Sequence, residues 1–150
     1  GIIPPEIPAD RTSVYHLYRL RFDPAGLGLT VSPRAFREKV QQALRAEGVQ
    51  ANRWQNRPVP MQRLFQEQRG YGKGCPWSCP YRDGATTDYH PEDYPETQKL
   101  VDDSIVFHSA IYPPNGLALM EKYVATFTKL WENLDEVLAV PDEEDAGVPT

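Results

Sequence analysis

Cys75 and Cys79 stand in Cys-Pro-Trp-Ser-Cys, with three residues between the thiols. A dithiol redox motif needs two intervening residues, and a zinc site needs two more ligands, for which only His90 and His108 are at hand. The pair therefore reads as reduced structural thiols in a turn-rich loop. His16, the remaining histidine, has no partner at metal-ligand spacing, so no metal site is expected. Gly70-Tyr71-Gly72-Lys73-Gly74 has the glycines of a phosphate cradle, yet no apolar run enters it and no helical pattern leaves it. It reads as a loop tip. Ser78 lacks the Gly-x-Ser-x-Gly elbow of a hydrolase nucleophile. Asp102 with Asp103 reads as a solvated helix face, and Asp142 to Asp145 as part of an acidic tail. Arg53, Arg57, Arg63 and Arg69 cluster along a loop-like stretch and read as solvated surface. No self-sufficient catalytic set emerges from these residues.

The bulk composition narrows the partners. The 150 residues are 40% hydrophobic and 25% charged with a net charge of −5, ordinary for one globular domain. A negative balance argues against a nucleic-acid partner. No stretch approaches the 18 or so apolar residues of a membrane span, and no charged and apolar leader opens the chain. The expectation is no membrane partner and a cytoplasmic location.

The elements that must position any site follow from periodicity. Residues 14–22 (VYHLYRLRF) are aromatic and β-branched, with Tyr18, Leu20 and Phe22 alternating with Leu17, Arg19 and Arg21, a strand with at least one buried face. Ser32 is a natural N-cap, and Pro33 suits the first helical position. Phe36, Val40, Ala43 and Leu44 then make one apolar stripe, and Gly48 ends the helix. A short strand is expected over Ala51 to Gln55, ended by Pro58 and Pro60, and a helical turn over Leu64 to Gln68. Residues 70–91 read as a long loop. A helix over Tyr94 to Asp103 and a strand over Ser104 to Phe107 follow. Asn115 is placed to cap a final helix whose apolar stripe runs from Leu119 to Leu138. The fold class is α+β, a small mixed or antiparallel sheet backed by helices on one face. Residues 1–11 read as linker, 12–138 as one domain, and 139–150 as an acidic disordered tail.

The run Ser13-Val14-Tyr15-His16-Leu17-Tyr18, the helix Pro33-Arg34-Ala35-Phe36-Arg37-Glu38-Lys39, and its ending Leu44-Arg45-Ala46-Glu47-Gly48-Val49 carry a family resemblance. Together with Ser104 to Phe107 and the last helix, they resemble the C-terminal small domain of DegT/StrS-type aminotransferases over residues 12–138. The segment Arg53-Trp54-Gln55-Asn56-Arg57-Pro58-Val59-Pro60 and the loop holding Cys75 and Cys79 depart from the family's common pattern. What the resemblance implies is a fold type I transferase using pyridoxal phosphate, usually a homodimer. Such an enzyme moves an amino group from a small-molecule donor to a keto acceptor such as a keto sugar or related ring.

The cofactor lysine would belong to an N-terminal domain, so none of Lys39, Lys73, Lys99, Lys122 and Lys129 is assigned to it. The chain alone is expected to be inactive. Arg53, Trp54 and Gln55 are the residues that would wall the substrate cleft, the guanidinium for a carboxylate and the indole for a ring. His16 is a further substrate-binding candidate. The competing reading is a stand-alone module that binds a small ligand or a protein without catalysis.

Overall fold

Local chemistry sets the first helix. The Ser32 side chain accepts a hydrogen bond from the Ala35 amide, Pro33 occupies the first turn, and α1 runs over Pro33–Ala46. Its end is a Schellman motif: Gly48 takes a φ of 83°, its amide donates to Arg45, and the Val49 amide donates to the Leu44 carbonyl. Val49 is buried, the apolar contact that accompanies such an ending.

The computed structural model describes residues 1–71, 74–78, 81 and 87–141. Those residues form two compact units, one drawn from 1–53 and 103–141 and one from 54–102. Lys73, Cys79 and most of the expected acidic tail (142–150) lie outside the described residues.

In the first unit, an antiparallel three-stranded sheet has the order β1 (Ile2–Ile3), β2 (Tyr18–Phe22), β3 (Ser104–Phe107). Ile2, expected in a linker, pairs with Phe22, and the Asp23 amide extends the ladder to the Gly1 carbonyl. The register Tyr18 to Phe107, Leu20 to Ile105 puts apolar pairs on one face. Arg19 and Arg21 take the other face, where Arg19 donates to the Ser104 hydroxyl at 2.9 Å. Strand β2 is shorter than the aromatic run predicts. Tyr15 adopts a φ of 46°, and a residue in that left-handed region cannot continue a strand.

The core gathers Leu20, Phe22, Phe36, Val40, Leu44 and Ile105, and Phe22, Phe36 and Trp131 meet ring to ring at 5.7–6.2 Å. Helix α1 buries more than its apolar stripe. Arg37 is 1% exposed, and buried Gln41 donates to the Ala51 carbonyl at 3.0 Å. The strand expected over Ala51 to Gln55 reduces to one bridge, Asn52 to Val106.

Helix α4 (Leu117–Glu132) begins at Gly116 without a side-chain cap. Asn115 instead donates from its amide side chain to the Ser109 carbonyl. The expected single long helix breaks at Asn133, and α5 (Leu134–Ala139) follows. The Asn133 side chain takes the Lys129 carbonyl that its own amide would have used, while that amide bonds Leu130 instead.

The second unit holds α2 (Arg63–Glu67) and most of α3 (Pro95–Asp103). Its small core is aromatic. Phe65 lies edge-on to Trp77 and Tyr89, and the Trp77 indole N–H donates to the Tyr89 hydroxyl at 3.0 Å. Gly70 is required here: a Cβ would fall 1.8 Å from the Cys75 carbonyl oxygen, and its φ is 48°. That close approach accounts for one glycine of the Gly-rich run. No helix among the described residues is long and apolar enough to cross a membrane.

Candidate functional site

The chain turns at Pro58, whose ring is fully buried, and passes through a tight turn at Val59–Met61 into α2. This reversal brings the segment before Pro58 alongside the start of α2. Between them lies a cavity of about 390 Å³ lined by Trp54, Gln55, Asn56, Arg57, Gln62 and Arg63. Trp54 is 50% exposed. Three carboxamides contribute both donors and acceptors.

The two guanidiniums in the wall differ. Arg63 pairs with Glu67 one helical turn on, and Glu67 also receives Arg69 at 3.0 Å. The hydrogen bond from Arg63 holds the Glu67 carboxyl below its usual range, with the charges of Arg63 and Arg69 adding to the effect. Arg57 makes no side-chain hydrogen bond or ion pair among the described residues. The cavity therefore presents one uncommitted planar cation beside an indole and amides.

Of the four residues singled out from sequence, Trp54 and Gln55 meet in this cavity. Arg53 is exposed and is not part of its wall. His16 lies in the first unit, exposed, its ring 5.5 Å from that of His108. His108 packs in turn on Tyr112, whose hydroxyl donates to the carbonyls of Tyr15 and His16. This cluster clamps the strained Tyr15 turn. No group of three potential ligands that could hold a metal occurs among the described residues. Sequence reasoning gave Arg57 and Arg63 to solvated surface. The available signal was the Pro-Val-Pro turn between them, which folds the two arginines onto one wall.

A second cavity, of about 700 Å³, opens in the first unit between the sheet and α4. It is lined almost wholly by apolar and aromatic side chains, among them Tyr18, Phe107, Phe127 and Trp131. Pyridoxal phosphate needs a lysine at its aldehyde and donors at its phosphate. No lysine lines either cavity: Lys39 donates to the Val140 carbonyl, Lys129 pairs with Glu47, and Lys99 and Lys122 stand on exposed helix faces. The described residues of this chain do not fit the cofactor, and no step is drawn through it.

Compared with known proteins, the chain matches no family model and no curated sequence.

Proposed function

We propose that this chain supplies the substrate-facing wall of an aminotransferase of the DegT/StrS type. In this reading an N-terminal domain holds pyridoxal phosphate, and a second copy completes a homodimer. One observation carries the reading: Trp54 and Gln55, selected by resemblance, share a single polar cavity with Asn56, Arg57, Gln62 and Arg63. The α+β order, with a small antiparallel sheet and helices, agrees with it.

The lining suits a hydroxyl-rich ring. An indole face packs on the ring's C–H face, and carboxamides pair with hydroxyls as donor or acceptor as needed. The uncommitted Arg57 fork suits a carboxylate, which a planar guanidinium binds through two parallel hydrogen bonds. These groups bind and orient a keto acceptor or an amino donor; the cofactor, when bound by the whole enzyme, supplies the electron sink.

The test is titration of the chain with glutamate and with myo-inositol, a ring bearing only hydroxyls, read at the indole N–H resonance of Trp54. Saturable shifts that are lost or clearly weakened in Gln55→Ala, which keeps the reporting indole, support the reading. Absence of any shift overturns it. Borohydride reduction at equimolar pyridoxal phosphate adds a second check, because stoichiometric labelling of one lysine, beyond the scattered labelling that exposed amines give, would place the cofactor here and overturn the reading too.

A further inference from the structure

The apolar groove of the first unit is unusual in what remains unburied. Helix α4 carries an apolar stripe over nearly its whole length, yet only Leu130 is buried, and Val124 is 66% exposed. The sheet presents Tyr18, Leu20 and Phe107 toward the groove, and α4 presents Tyr123, Phe127 and Trp131. These rings touch one another: Phe107 lies 5.7 Å from Tyr123 and 6.2 Å from Phe127, and Phe127 lies 5.9 Å from Trp131. A cavity of about 700 Å³ is within the size range of small-molecule sites.

The polar groups in the wall set the charge of its occupant. The Tyr123 hydroxyl accepts from the Gln50 amide at 3.3 Å, and the Thr128 hydroxyl donates to the Val124 carbonyl at 3.1 Å, so both are engaged within the chain. Glu132 is the one charged residue of the lining, and it forms no ion pair or side-chain hydrogen bond among the described residues. No lysine or arginine lines the groove. Aromatic faces carry negative quadrupoles that attract cations, and an uncompensated carboxylate at the same wall adds to that attraction. An anionic amphiphile meets repulsion from both.

We propose that this groove binds a lipophilic organic cation, an alkyl- or arylammonium ion with its apolar body against the sheet and its positive head near Glu132 and the aromatic faces. The site lies wholly within the first unit and does not rest on the reading of the Trp54 cavity.

Three probes with the same phenylbutyl body separate the outcomes: 4-phenylbutyltrimethylammonium, its neutral tert-butyl isostere, and 5-phenylpentanoate. Each is titrated into the full chain and followed at the methyl resonances of Met120 and Val124. The expected result is saturable binding of the cation, about tenfold tighter than the isostere, as cation–π and charge attraction together allow. Glu132→Gln, a surface change outside the core, should narrow that preference while leaving the isostere's affinity in place. Val124→Trp, which projects into the groove, should abolish binding with the far-ultraviolet spectrum unchanged. Equal affinity for cation and isostere, tighter binding of the carboxylate, or no saturable shift overturns the proposal. So does a dimer in sedimentation that buries the groove and persists at saturating cation.

Discussion

Arg21, on β2, and Asp103, the last residue of α3 and 82 residues away in the chain, form a forked ion pair. Nη2 donates to Oδ2 at 2.6 Å, and Nε lies 3.1 Å from both carboxylate oxygens. Asp103 is 3% exposed, while about a third of the Arg21 side chain remains in contact with water. Removing one partner of a buried pair strands the other in a poorly solvated place. With Arg21 partly hydrated, Asp103→Ala should cost about 2 to 3 kcal/mol, below the ~3–5 kcal/mol of a fully buried pair. Urea unfolding measures it, and a loss under about 0.5 kcal/mol, the size of an exposed-pair effect, would contradict the role assigned here.

Ser32 caps α1 through its hydroxyl, which accepts from the Ala35 amide at 3.2 Å. Ser32→Ala leaves that amide to water and should destabilise the first unit by about 1 kcal/mol, whereas Ser32→Asp should hold or gain. Denaturant midpoints with unchanged slopes provide the comparison.

Phe36 is 0% exposed and bridges Phe22 and Trp131. Truncation to alanine removes both ring contacts and leaves a void, at a cost of about 3–5 kcal/mol. Phe36→Leu retains most of the volume and should cost clearly less, so the ratio of the two losses tests whether the aromatic trio is packed as described.

Glu67 gives a pH signature in the second unit. Its ordinary value of 4.5 is lowered chiefly by the hydrogen bond from Arg63. A carboxyl depressed in the folded state contributes stability that is present above 4.5 and lost as pH falls through the lower folded value. Carboxyl carbon shifts should place the Glu67 midpoint below 4.5, and Arg63→Gln should raise it toward that value. A midpoint unmoved by Arg63→Gln would remove this pair from the account.

Arg53 and Arg57 separate the sequence reading from the cavity. Only Arg57 lines the wall with Trp54. Arg57→Ala should weaken glutamate binding severalfold to tenfold, about 1 kcal/mol for a solvent-open carboxylate contact, and Arg53→Ala should leave it within twofold. The reverse order would return the carboxylate to Arg53.

Helix α1, strand β3 and the α+β class are legible in the local chemistry of the chain. Ser32, Pro33 and Gly48 act through sterics and hydrogen bonds that span at most five or six residues, so their message is complete within the local chain. All four residues of Ser104–Phe107, three of them apolar, are buried, as a short apolar run implies.

Which polar residues meet is set by how the chain folds back on itself. Gln41 looks like a solvated helix residue until Ala51 folds beneath it, and Ile2 looks like a lead-in until Phe22 pairs with it. Arg57 and Arg63 look like scattered surface charge until the turn at Val59–Met61 closes them around one cavity with Trp54. Such meetings depend on chain reversals and on partners distant in sequence, and periodicity carries no record of either.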